Sequence, residues 1–368
     1  MKGQWIGVYG GDQTGKIIIN IEDLGDHFQC VAITHPDDDK LPASATFFET
    51  TNKDPKISSN ASIAAINPFN NNIMASPIEF QKIYPGFNNS TKAIITGQYE
   101  DNELSLNAKT DIGVNLNCHI KRKPFSIFSE VPVKGMTWGE FKIHFNTNSQ
   151  TKCLFRGQEA PWKLRTAFHR RGRYNLYRFM NNDIPILHRR LTANTKHLFN
   201  LTNPEENGAF YNLAQHHGYP TPLLDWTYSP YVAAFFAFWK IRKGLSDYNW
   251  AVRIYRFDQE KWKNDFNQLV TLNATKPHLS TLDCLAIEND RLVPQQATTT
   301  MTNIDDIEAY IKTREDEKRY TYLSAIDIPA GERNEVMKEL AFMGITAGSL
   351  FPDLDGACAE LREALFDQ

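Results

Sequence analysis

The sequence predicts an α+β protein in two parts: an N-terminal antiparallel β barrel or sandwich, then a domain of mixed helices and strands. Three observations lead there. Apolar and polar residues alternate at period two through much of residues 1–120; the proline-bearing stretches Arg122-Lys123-Pro124 and Val131-Pro132-Val133-Lys134-Gly135 break that pattern; and helical spacing follows them. The 368 residues leave room for roughly two to three domains. The division read from these signals is a β-rich accessory domain over 1–125, a linker over 126–136 and a mixed domain over 137–368.

In chain order, strands are expected at Lys16–Glu22, Gln29–Ile33, Ala93–Thr96, Glu103–Ala108 and Val114–Ile120, separated by turns rich in Asp, Asn, Gly and Pro. Residues 51–92 are rich in Asn and Ser and read as a long excursion. Past the linker, Trp138–Phe145 has helical spacing. Lys152–Gln158 reads as a short buried strand ending in a glycine bend. Ser229-Pro230 opens an apolar helix, because a serine hydroxyl caps free amides and proline suits the first turn; Lys240, Arg242, Lys243 and Gly244 suit its end. Trp250–Phe257 and Thr321–Pro329 read as strands, Glu332–Phe342 as a helix with Gly344 near its end, and Arg314–Arg319 as a solvated face.

Composition excludes several classes. A hydrophobic fraction of 41% with 23% charged residues is that of a folded globular chain, neither disordered nor fibrous. A net charge of -3 provides no whole-protein field for nucleic acid. The five cysteines, Cys30, Cys118, Cys153, Cys284 and Cys358, are dispersed without a CxxC pair, which speaks against a disulfide framework or zinc knuckle and for buried thiols in a reducing cytosol. The N-terminus lacks the apolar core of a signal peptide, and the longest apolar run, Tyr231–Trp239, is far shorter than the ~20 residues of a membrane span. A cytoplasmic protein without membrane contact is expected.

Two motifs are near misses. Gly10-Gly11-Asp12-Gln13-Thr14-Gly15-Lys16 fits a phosphate loop up to the lysine, but Ile17 replaces the magnesium-binding hydroxyl and a β-branched run follows where a helix is needed; a glycine-rich hairpin turn is the better reading. His216-His217 lacks further ligands at a familiar spacing, so hydrogen-bonded structural histidines are expected and no metal.

Arg156, at a strand end before Gly157, suits anion recognition, since a guanidinium is a rigid fork of donors and glycine admits close backbone approach; a structural arginine paired with a carboxylate is the alternative. Asp225 and Thr227 lie four and two residues before Ser229. In an extended approach all three project on one face near a helix N-terminus, where a phosphate or ribose can sit. Capping alone would equally account for Ser229.

Phe155-Arg156-Gly157 is the triplet that names the FRG domain family. Gln215-His216-His217-Gly218, Thr221-Pro222-Leu223-Leu224-Asp225-Trp226-Thr227 with Ser229-Pro230, Asn289–Gln296, and Leu350-Phe351-Pro352-Asp353-Leu354-Asp355-Gly356 resemble its further signatures, in family order. More loosely, the chain resembles arginine-class ADP-ribosyltransferases: the aromatic-Arg-Gly triplet, Thr227-Tyr228-Ser229 with Ala233-Ala234-Phe235-Phe236, and Gln295 look like that class's three elements. This resemblance implies an ADP-ribosyltransferase-like FRG fold, NAD as substrate, catalytic roles for Arg156, Thr227, Ser229 and Gln295, and NAD contacts from Arg156, Gly157, His216, Asp225, Thr227 and Ser229. It implies a transferase modifying a macromolecule, as a bacterial toxin or phage-defence effector, with a non-catalytic nucleotide- or partner-binding module as the alternative. One departure stands out: two residues after Gln295 the class carries a catalytic Glu, and here Ala297 stands there, followed by Thr298. Asp225 or Glu288 would have to supply the acid.

Between these motifs, Arg165, His169, Arg170, Arg171, Arg173, Arg178, His188, Arg189 and Arg190 interleave with Trp162, Phe168, Tyr174, Tyr177 and Phe179. Basic and aromatic residues mixed in this way suit single-stranded nucleic acid and make the Arg165–Arg190 segment the candidate contact for an acceptor, protein or nucleic acid; an amphipathic helix with a solvated face looks the same.

Overall fold

Eight strands close into an antiparallel barrel in sequence order: β1 (Gly3–Gly11), β2 (Gly15–Asp23), β3 (Phe28–Pro36), β4 (Ser44–Glu49), β5 (Lys56–Ala65), β6 (Lys92–Glu100), β7 (Glu103–Thr110) and β8 (Asn115–Lys121). The barrel is a computed structural model, as is the rest of the chain, and residues 1–74, 76–147, 153–241 and 250–366 are described. Closure comes from β8 returning to β1, with Cys118 opposite Tyr9. The period-two alternation explains the wall: Trp5, Ile17, Ile19, Cys30, Ala32, Ile95, Leu104, Leu106 and Ile120 share one interior cluster, and every strand finds a neighbour on both sides. The five expected strands are present. Residues 51–92 were read as an excursion, yet they contain β5 and a helix, Pro77–Ile83, capped by Ser76. The Gly10–Lys16 near miss is the β1–β2 hairpin, with Gly11 at φ +114.

The second unit is a seven-stranded sheet in the order β13-β14-β11-β10-β12-β15-β9. Its strands are β9 (Val133–Gly135), β10 (Cys153–Gln158), β11 (Leu223–Thr227), β12 (Ala251–Asp258), β13 (Leu279–Leu282), β14 (Ala297–Thr302) and β15 (Leu323–Pro329). All neighbours run antiparallel except β9 on β15. On one face, helices Trp138–Thr147, Pro230–Phe238 and Arg333–Phe342 pack with Phe155, Val252 and Ile254. On the other lie Leu154, Trp226, Tyr255, Trp262, Ile307 and Ile311.

The segment read as linker is part of this sheet. Val133–Gly135 forms its edge strand, and the Ser129 hydroxyl donates to buried Glu308 at 2.9 Å. Glu315, placed by the sequence on a solvated face, is buried and accepts the amides of Tyr322 and Leu323 at 2.7 and 3.0 Å. Cys358 is exposed and Cys284 half-buried, so only three of the five thiols are buried as expected. Arg242, Lys243, Gly244 and Lys152 lie outside the described residues. No helix among the described residues is long and apolar enough to cross a membrane.

Barrel and sheet meet at a polar seam. Glu22 of β2, 1% exposed, accepts the backbone amides of Tyr174 and Asn175 at 2.7 and 2.8 Å and the Arg173 Nε at 3.0 Å. Nearby, Gln4 reaches the Asn303 carbonyl at 2.7 Å, and Thr275 donates to the Asn71 carbonyl at 2.6 Å.

This seam takes up part of the basic segment. Arg173 is committed to Glu22 and Asp183, Arg178 stands 3.9 Å from Glu22, and Arg165 pairs with Asp305 at 2.5 Å. Phe168, Tyr174 and Phe179 are buried, whereas Arg171, Arg189 and Arg190 are exposed. Three of the arginines thus answer carboxylates and three of the rings fill a core, while Arg170, Arg171, Arg189 and Arg190, with Trp162 and Tyr177, stay exposed.

His169 is also buried, with Nδ1 2.8 Å from the Thr166 hydroxyl, and burial pushes it down to about 4, as it does His278. Both rings are neutral in the fold, with an ordinary value of 6.5 when exposed. The unfolded chain therefore binds more protons between pH 6.5 and about 4, and stability falls as pH drops through that window, by about 1.4 kcal/mol per unit for each ring. Urea unfolding at pH 7, 6 and 5 should show the midpoint receding. An equal acid slope after His169→Asn and His278→Asn together would remove these rings as its cause.

Candidate functional site

Strands β10 and β11 are registered at one position, Phe155 opposite Thr227. Where the ladder stops, the Arg156 side chain takes over, its Nη1 donating to the Asp225 carbonyl at 2.7 Å. A cleft of about 650 Å³ opens beside it, lined from four separate stretches of chain, including Arg156, His216, Asp225, Thr227, Gln295 and Phe351.

Its charge is largely positive: Arg156, Lys163, Arg170, Lys240 and Arg291 line it, against Glu159 and Asp225. Lys163 is paired with Asp306 and Arg291 with Asp353. The Arg156 Nε is buried without a hydrogen-bond partner. Burial pushes the Arg156 guanidinium below its ordinary value; Asp225 opposes the shift and Arg170 adds to it. An unmet, desolvated donor beside a second guanidinium is a site where an anion relieves both costs.

Asp225 faces the cleft, and its carboxylate accepts from the Gln215 amide, which in turn accepts from the Thr221 hydroxyl. Gln215 stands near the end of helix Pro204–His216, so a half-buried relay anchored on buried Thr221 fixes the acid. His216 Nδ1 lies 2.8 Å from the Asn289 side-chain oxygen, and the His216 carbonyl accepts from Arg291 at 3.2 Å. Arg291 stands 5.3 Å over the Phe351 ring. Phe351 packs against Trp239 at 5.0 Å and 32° and against Phe236 at 6.0 Å and 85°, giving the cleft an aromatic wall. Asp353 is held below its ordinary value by the Gly356 amide and then by Arg291.

Other expected site residues serve the frame. Ser229 is absent from the lining; its hydroxyl caps helix Pro230–Phe238, accepting from the Val232 amide at 3.2 Å. The one-face expectation holds for Asp225 and Thr227 and fails for Ser229, because the chain turns at Tyr228 to enter the helix. Thr227 lines the cleft, but its hydroxyl donates to the Gln295 carbonyl at 2.8 Å and accepts from the Ser229 amide at 3.0 Å. Gln295 lies in the turn before β14, where Gln296 adopts φ +46; its amide donates to the Leu350 carbonyl at 2.9 Å. Glu288 is absent from the cleft lining and accepts the His197 amide. Ala297 lines the cleft where the acid was missing.

Gly157 has a packing role. A Cβ there would stand deep inside contact distance of the Ala233 carbonyl oxygen and 2.8 Å from the Ala237 amide nitrogen. Glycine is what lets helix Pro230–Phe238 lie directly on β10. Sequence reasoning also missed the positions of Arg170, Lys240 and Trp239 in the cleft; each sits outside a motif, and only the fold brings it there. Among the described residues no group of three or more His, Cys, Asp or Glu side chains is placed to share a metal ion.

The family model of the FRG domain matches residues 151–246. No curated protein and no solved structure matches the chain.

Proposed function

From an FRG domain at residues 151–246 as the premise, we propose that the cleft binds NAD and that the chain is an ADP-ribosyltransferase-like enzyme acting on a macromolecular acceptor. One observation carries this reading: the four signature stretches, around Arg156, Asp225, Arg291 and Phe351, converge on a single cationic cleft with an aromatic wall. Arg156 and Arg170 would hold the pyrophosphate, the Phe236, Trp239 and Phe351 rings would face a base, and Asp225 would stand beside the positive charge that develops as the glycosidic bond breaks. Asp225 thus takes the part left open by Ala297.

Asp225→Asn should leave NAD affinity within about threefold while slowing nicotinamide release about 100-fold, the loss typical of one preorganised electrostatic group. Calorimetric titration and a nicotinamide-release assay measure the two quantities. Unchanged release would remove Asp225 from the chemistry.

A second reading rests on its own observation. Thr227, Ser229 and Gln295 all spend their side chains on backbone partners, which suits a module that binds a nucleotide or a partner without turnover. NAD binding without nicotinamide release by the unaltered chain, with acceptor candidates present, would favour it.

A further inference from the structure

We propose that the interior of the N-terminal barrel is a second binding site, for one small uncharged apolar molecule about the size of a monosubstituted benzene. An eight-stranded barrel is just wide enough for its own side chains or for one small ligand. Here three inward positions, Ala32, Ala93 and Ala108, carry only a methyl group, and a cavity of about 180 Å³ remains. Apolar cavities of about 150 Å³ stay dry and take up benzene.

The chemistry of the wall selects the ligand. No Asp, Glu, Lys, Arg or His lines the cavity, so an ion would be desolvated there without a partner. Its two weak acids stay neutral at pH 7, since burial pushes the Cys118 thiol up to about 11 and the Tyr9 phenol up to about 12. The polar part of the wall is uncharged: the Thr34 and Ser44 hydroxyls satisfy each other at 2.7 Å, and Gln13, Thr46, Asn89 and Asn117 stand among the apolar residues that make up most of the lining. The cavity is a cup. Trp5, Leu104 and Ile120 fill the far end of the barrel, whereas Pro36, Pro42 and Ile112 stand at the near end, where Ile112 is 41% exposed.

The test uses the full chain with methyl-labelled isoleucine and leucine, titrated with toluene and with benzoate, its charged counterpart of similar size. Toluene should shift the methyl signals of Ile17, Ile95 and Leu106 saturably, with benzoate at least about tenfold weaker. Ala93→Phe fills the cup and should abolish the toluene shifts; if that variant loses the barrel's spectrum, Ala108→Leu, at a half-buried wall position, serves instead. Absence of toluene shifts at those methyls, equal binding of benzoate, or undiminished toluene binding in a folded filled variant would each overturn the proposal. None of these readouts depends on NAD, so the cleft and the cup stand or fall separately.

Discussion

Arg156→Ala should weaken NAD binding by somewhat more than 100-fold. The guanidinium is the desolvated donor of the cleft, with Nη1 spent on the Asp225 carbonyl and Nε unmet. Two charge-assisted bonds to a pyrophosphate, at about 1.5 kcal/mol or more each, amount to about 3 kcal/mol, or two decades of affinity. The same change strands the Asp225 carbonyl where β10 and β11 part, so a loss of about 1–3 kcal/mol in stability should accompany it. Arg156→Lys separates the two effects: it keeps the charge but lacks the planar fork, so affinity should recover only in part. Titration calorimetry on variants whose melting curve shows a folded domain is the measurement. NAD affinity equal to the unaltered chain in a folded Arg156→Ala protein would exclude this arginine from the site, and no NAD binding by the unaltered chain would exclude the dinucleotide reading.

The second large effect is on stability. Gly157→Ala should destabilise the domain by about 3 kcal/mol or more, since its methyl meets main chain of a buried helix, which cannot swing aside as a side chain can. For a domain of this size that corresponds to a fall of roughly 6–12 °C in Tm. Gly139→Ala is the matched control: the nearest atom to its added Cβ is the Thr137 hydroxyl oxygen at 3.9 Å, and it should be neutral or slightly stabilising. A Tm change under 2 °C for Gly157→Ala in scanning calorimetry would mean that the helix is not seated on β10 as described.

How much of this was legible in the sequence depends on whether the signal was local. The strands from Lys16 to Ile120 announce themselves because half-buried β structure must alternate, and the helix after Ser229 because caps are local chemistry. Beyond that range the reading fails in a consistent way. Glu315 looks like a solvated charge until the fold brings the Tyr322 and Leu323 amides to it. Gly157 lines the cleft, and the close approach it also permits, to Ala233 76 positions on, has no local signal. At Arg156 the two alternatives proved compatible: the side chain braces a neighbouring strand and still presents an unmet donor.

The carboxylate of Glu22 has a consequence for how the molecule is made. Synthesis proceeds from the N-terminus, and domains generally fold as they emerge. A finished barrel would therefore present that buried acceptor before Arg173, Tyr174 and Asn175 have left the ribosome. Those three residues would then dock on a ready-made anchor only a few positions after Arg170 of the cleft. Severed from the barrel, the later half would keep Arg173 on Asp183 but leave the Tyr174 and Asn175 amides without their acceptor, so the two halves would be heirs to one assembly pathway and not interchangeable parts.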